Sequence, residues 1–252
     1  KYYSIIYQID LKDKQMNYLI LVRHGQSIWN LEKKFTGWVD VDLTKNGQLE
    51  AEKAGFLIKS ENIKINIYYS SLQLRANNTL KIIQKILSDQ KNFTKAWQLN
   101  ERHYGALTGL NKIEMAQKIG ESKVHEFRRS WDVKPEPISK ESPHHPLNIK
   151  TYRDVPKEKI PDTESLKDTY ERVIKFYHNE IEKKIIDNNI LVSAHGNSIR
   201  ALCKYLFKLS NEQITKLEIP TGNPLIINFN DKKEINECRY LDRTRAKDLL
   251  IF

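Results

Sequence analysis

A chain of 252 residues, 39% hydrophobic and 29% charged, has the size and composition of one sizeable α/β domain or two small ones. No stretch approaches the ~20 consecutive apolar residues of a membrane span, and two cysteines, Cys203 and Cys238, are too few for a disulfide framework, so reduced thiols in a cytoplasmic protein are expected. The formal charge of +10 rests on 31 Lys and 11 Arg, but the lysines are scattered among Ile and Asn, which describes a diffuse field attractive to small anions rather than a stripe that binds nucleic acid.

Residues 1–15 lack the basic region followed by an apolar run of ~7–15 residues that marks a secretory leader. They are read as an N-terminal extension that a single domain at 16–252 does without. Leu19 to Val22 reads as a buried strand. Thr44 is placed to cap a helix running to about Lys59, with Ala51, Ala54, Leu57 and Ile58 turned inward. Ile65 to Tyr69 is the next strand. Leu72, Ala76, Leu80, Ile83 and Leu87 then recur at helical spacing, and Ile113, Ala116 and Ile119 predict a shorter helix. Between Lys134 and Pro161 lie six of the eight prolines and no period, the mark of an excursion loop. Leu166, Tyr170, Val173, Tyr177, Ile181 and Ile185 predict a long helix. The strand Ile190 to Ala194 follows, then a helix carrying Ile199, Leu202 and Leu206. Ser210 and Gln213 form a capping box for one more helix, and Leu225 to Phe229 is a late strand. Strands alternating with helices imply a mostly parallel central sheet flanked by helices on both faces. The proline-rich excursion would be an inserted loop or helical lid on that α/β domain.

Two of the strands end alike, in Arg23-His24-Gly25 and in Ala194-His195-Gly196. In an open parallel sheet, ligands bind outside the carboxyl ends of the strands, so both histidines are expected at one pocket. Glycine would leave room for a ligand to approach the backbone, and the helices that follow favour anions at their N-termini. Arg23 adds a forked cation matched to phosphate oxygens. Arg75, Arg102, Arg128 and Arg129 also sit in short motif-like contexts. In a chain that prefers Lys almost three to one, retained Arg points to bidentate phosphate contacts. No HExxH or paired-cysteine motif suggests a metal. Metal-free phosphoryl chemistry needs a nucleophile, cationic clamps and a proton donor, which His24, the arginines and Glu101 would supply.

The stretches LVRHGQSIWN (21–30), FTGWVDVDLT (35–44), SSLQLRANNT (70–79), LNERHYGALTGLNK (99–112), RR (128–129), DTESL (162–166), AHGNSIRAL (194–202) and IPTGNPL (219–225) together resemble the cofactor-dependent phosphoglycerate mutases of the histidine phosphatase superfamily. The resemblance implies that His24 carries a phosphoryl group and that His195 stabilises its transfer. It sets Arg23, Asn30, Arg75 and Gly196 around that group and makes Glu101 the general acid/base. Arg102, Tyr104, Lys112, Arg128 and Arg129 would contact the substrate's carboxylate and distal phosphate. Thr36 and Gly37 lie near the substrate in the family, and Ser27 and Asn197 are counted with the same binding set. The implied reaction is the ping-pong interconversion of 3- and 2-phosphoglycerate, with 2,3-bisphosphoglycerate as primer and intermediate and no metal. Its partners would be small phosphoglycerates, with no nucleic acid and no membrane, and a homodimer or homotetramer is the implied assembly. Ser27, Thr36 and Gly37 favour the mutase over the bisphosphoglycerate-synthase branch. Gln26 stands where the family usually has glutamate.

Overall fold

A computed structural model describes residues 17–246. In chain order its elements are β1 (Asn17–Arg23), the single turn α1 (Ile28–Leu31), α2 (Lys45–Ser60), β2 (Ile67–Ser70), α3 (Leu74–Ile86), β3 (Thr94–Lys95), α4 (Lys112–Ile119), α5 (Glu121–Arg129), α6 (Leu166–Phe176), β4 (Ile190–Ala194), α7 (Gly196–Leu206), α8 (Asn211–Lys216), β5 (Leu225–Phe229) and β6 (Ile235–Tyr240). The extension at 1–15 lies outside the described residues, as does the end of the chain from 247.

Why β1 reads as an unbroken apolar run follows from its surroundings. Successive side chains point to opposite faces of a sheet. Leu19 and Leu21 join one core with α6 and α7, while Ile20 and Val22 join a second core with α2 and α3. A strand covered on both faces has no polar side to show. The sheet order is β3-β2-β4-β1-β5-β6. The pairs β3–β2, β2–β4 and β4–β1 are parallel, whereas β5 and β6 run antiparallel at one edge. The mostly parallel sheet with helices on both faces is therefore as the sequence implied.

Besides the single turn α1, sequence reading missed β3, β6 and α5. β3 is two exposed residues. β6 is an edge strand with most side chains in contact with water, so it has no clean alternation. In α5 only Val124 is buried, and Gly120, with φ +91°, separates it from α4. The predicted long helix is α-helical only to Phe176. It widens into a π turn over Tyr177–Ile181, yet Tyr177, Ile181 and Ile185 are all buried as their spacing suggested. Residues 134–161 form no α-helix or strand, only short 3₁₀ turns. Tyr152 and Val155 anchor that excursion by packing with Trp38.

Candidate active site

The pairing of β1 with β4 explains the two histidine endings. Arg23 stands opposite Ala194 in the parallel register, so the next residue of each strand emerges at the same carboxyl edge. The His24 amide donates to the Ala194 carbonyl at 3.0 Å, and the two imidazole rings lie 5.0 Å apart between centroids. Both are buried. Burial above all, then the charges of Arg75 and Arg23, hold His24 well below the usual imidazole pKa. His195 is likewise held low by burial, then by Arg75 and His24. Both rings are thus neutral near pH 7.

Hydrogen bonds orient the first ring. His24 Nδ1 lies 2.6 Å from the Gly25 carbonyl oxygen. A carbonyl only accepts, so Nδ1 carries the proton and Nε2 keeps its lone pair. Arg75 Nε donates to that Nε2 at 3.3 Å. The same guanidinium donates to the carbonyls of Val39 and Gly37, each at 2.9 Å, which fixes its plane. His195 Nε2 is 2.8 Å from Ser71 Oγ, which itself accepts from the Gln73 amide.

The two glycines serve different ends. A Cβ on Gly25 would meet the Gly47 carbonyl oxygen at 2.0 Å. Gly25 is therefore demanded by backbone packing against the start of α2, not by room for a ligand as the sequence suggested. A Cβ on Gly196 would meet nothing nearer than Arg23 Nε at 3.5 Å. Gly196 lies at the start of α7 and lines the pocket.

A cavity of about 130 Å³ opens beside these groups. Of the residues singled out in the sequence, Arg23, His24, Asn30, Thr36, Gly37, Arg75, Glu101, Tyr104, Lys112, Arg128, Arg129, Gly196 and Asn197 line it. Ser27 does not. It is fully buried and caps α1, its hydroxyl accepting from the Asn30 amide while Asn30 Oδ1 accepts from the Ser27 amide. Its effect on the cavity is to orient Asn30. Arg102 also stands behind the wall, with its guanidinium 4.7 Å from the centre of the Tyr104 ring. His195 reaches the site through its contact with His24 rather than through the wall.

Glu101 enters from the segment after β3. Its Oε1 accepts from the amides of Arg102 at 2.7 Å and Asn197 at 3.2 Å. Asn197 Nδ2 donates to the Tyr104 hydroxyl at 3.1 Å. Cations from α4 and α5 join the wall of the cavity. Lys112 begins α4, and burial first, then Arg128 and Arg23, lowers its ammonium to about 8 despite the opposing pull of Tyr104. Arg128 and Arg129 end α5, and Arg129 is ion-paired to Glu218.

Arg200 and Glu218 line the same cavity and were not singled out in the sequence. Arg200 is buried and donates to Asn197 Oδ1 at 2.9 Å and to the Ile214 carbonyl. Burial, then Arg129 and Arg102, bring it down to about 9. Arginine in a lysine-rich chain was a usable signal for it. Glu218 had none, being one half-exposed carboxylate among many. Buried donors on the cavity wall lack partners: Arg23 Nε, Thr36 Oγ1 and Arg200 Nε. An anion rich in acceptor oxygens satisfies such donors, and leaving them unmet is costly. Among the described residues no group of His, Cys, Asp and Glu is placed to hold a metal ion, and no helix is long and apolar enough to cross a membrane.

Comparison with known proteins agrees with this geometry. The model of the histidine phosphatase superfamily (branch 1) matches residues 19–148 and 142–239. The chain is 68% identical over 238 residues to the 2,3-bisphosphoglycerate-dependent phosphoglycerate mutase of Pelagibacter ubique, covering 94% of this chain and 100% of that one. It is 49% identical to the enzyme of the same name from Borreliella afzelii, over 88% of this chain and 90% of the relative. In fold it is similar to a mycobacterial glucosyl-3-phosphoglycerate phosphatase, with TM-score 0.64 and 18% identity over 92% of this chain and all of that one. YhfR of Bacillus stearothermophilus gives TM-score 0.65 and 20% identity, over 87% of this chain and 94% of that one.

Proposed function

The chain belongs to the histidine phosphatase superfamily, and from that premise we propose that it is a phosphoglycerate mutase interconverting 3- and 2-phosphoglycerate through a phosphorylated His24. The observation that carries the reading is the composition of one cavity. It joins a neutral histidine whose unprotonated Nε2 accepts from Arg75 to a second set of cations on α4 and α5. A phosphatase needs the first set to hold the group it removes. The second set suits a substrate with further anionic groups that must be held while the acceptor hydroxyl is brought to the phosphohistidine.

In the first half-reaction His24 Nε2 bonds to phosphorus as the P–O bond breaks. Glu101 gives its proton to the departing oxygen, and the carboxylate recovers a proton from the next acceptor hydroxyl. Arg23, Arg75 and His195 stabilise the charge that builds on the transferring group. Asn30, Thr36, Gly37, Gly196 and Asn197 complete the cradle. Arg128, Arg129, Lys112, Arg102 and Tyr104 hold or brace the far end. The unpartnered donors on the wall fit a multiply charged phosphate ester. 2,3-Bisphosphoglycerate supplies the phosphoryl group that primes His24. On the family resemblance the reading extends to the cytoplasm and to a homodimer or homotetramer, which light scattering would test.

The decisive experiment follows 3-phosphoglycerate with and without bisphosphoglycerate, in the presence of chelator. Interconversion that depends on priming and survives chelation is expected. Release of inorganic phosphate as the main product would overturn the proposal in favour of a phosphatase.

A further inference from the structure

Glu101 lies on a segment with no regular structure beyond the short turn Trp97–Leu99. Its backbone polar groups must be met from outside, and one side chain takes most of that task. Arg172, on α6, donates from Nη1 to the carbonyls of Gln98 at 2.6 Å and Asn100 at 2.9 Å. From Nη2 it donates to the carbonyl of Glu101 itself at 3.0 Å. Its Nε and Nη2 also donate to the two carboxylate oxygens of Glu164, at 2.7 and 2.9 Å. Glu164 Oε2 in turn accepts from the His103 amide at 2.8 Å. One ion pair thus grips the chain on both sides of Glu101. From the opposite side Gln73 Oε1 accepts from the Glu101 amide at 2.9 Å.

This is a costly way to hold a core together. Arg172 and Glu164 are 9% and 4% exposed, and a buried ion pair loses much of its Coulomb gain to desolvation. The apolar packing of α6 is already supplied by Leu166, Val173 and Phe176. What the pair adds is geometry, because the planar fork of arginine meets several acceptors at fixed angles. Neither residue lines the cavity. Glu164 belongs to the DTESL stretch, to which no role has so far been attached.

We propose that Arg172 and Glu164 are positioning residues that set the Glu101 carboxyl for proton transfer to and from the substrate oxygen. The inference rests on the reading of Glu101 as the proton carrier. It predicts dependence on the leaving group. An alkoxide must receive a proton as its P–O bond breaks, whereas the carboxylate of an acyl phosphate departs without one. In Arg172→Lys and Glu164→Gln, phosphorylation of His24 by bisphosphoglycerate should slow about 10²-fold, the scale of a 1 Å misplacement. Phosphorylation by acetyl phosphate should be nearly unchanged. In steady state kcat should fall with KM little altered. Melting temperatures of both variants check that the fold persists, and Glu164→Gln keeps the shape if Arg172→Lys does not fold. Equal slowing with both phosphoryl donors, or a change in KM alone, would overturn the proposal. If Glu101→Gln shows the leaving-group dependence and neither positioning variant does, the positioning role alone is wrong. If Glu101→Gln does not show it either, the proton-carrier reading falls first and this inference with it.

Discussion

His24 and His195 end different strands, yet their rings stand 5.0 Å apart and tilted by 60°. The parallel pairing of Arg23 with Ala194 sets that relationship. Both rings are neutral, and Nε2 of His24 is unprotonated, accepting only from Arg75 Nε. His24→Ala should therefore form no acid-labile phosphoenzyme from labelled bisphosphoglycerate. His195→Ala should still form it, but with a barrier raised by ~2.7–4 kcal/mol, the loss seen when one charge-stabilising donor is removed. Rapid-quench labelling distinguishes the two. Acid-labile phosphate on the His24→Ala protein, or a normal rate in His195→Ala, would contradict the assignment.

Arg129 and Glu218, both on the cavity wall, are ion-paired, and the Glu218 side chain is 56% exposed. The substrate's distal anion and Glu218 are expected to compete for the same guanidinium. Changing Arg128 and Arg129 together to alanine should raise KM for 3-phosphoglycerate with a smaller effect on kcat. Glu218→Gln should act in the opposite sense, tightening binding by a few-fold at most, since exposed ion pairs contribute only ~0.2–1 kcal/mol. Titration calorimetry reads both. Unchanged affinity in the double variant would mean that the pair serves only a solvated helix face.

Lys112 carries an ammonium lowered to about 8. As pH rises through that value the free enzyme loses a positive charge from the anion site, and a bound anion favours the charged form. KM for phosphoglycerate is expected to climb between pH 7 and 9. Lys112→Arg, whose charge does not titrate in this range, should flatten the climb. A KM that stays level in the wild-type enzyme would remove Lys112 from the binding set.

Three histidines are buried neutral. His24 and His195 lie well below the ordinary value, and burial, then His145, pushes His103 down to about 3. An unfolded chain protonates each near pH 6.5. Below that pH the unfolded state binds protons the folded state does not, so stability is full above about 6.5 and falls as pH drops. Each contributes a slope of up to about 1.4 kcal/mol per pH unit, and for His103 the loss continues toward about 3. Denaturant melts from pH 7 to 5 should show this decline, with a shallower slope in His103→Gln. Stability that holds constant over that range would show that these rings titrate normally.

Much of this molecule was legible in its sequence because the relevant signals are short-ranged. The apolar run at Leu19–Val22 and the three-and-four spacing from Ala76 to Ile83 reflect burial of faces whose period the backbone dictates. The histidine endings, Arg75, Glu101 and the Arg128–Arg129 pair stand in local motifs, and the cavity gathers most of them. The tertiary structure decided what local sequence cannot carry. Strand order placed β4 beside β1 and so His195 beside His24. The approach of Gly47 showed Gly25 to be a packing requirement. Ser27 moved from the substrate to the cap of α1, while Arg200 and Glu218 joined the wall and Arg172 came to grip the segment of Glu101. Each of these depends on which distant segments touch, and that is settled by burial of whole sheet and helix faces against one another rather than by the residues on either side.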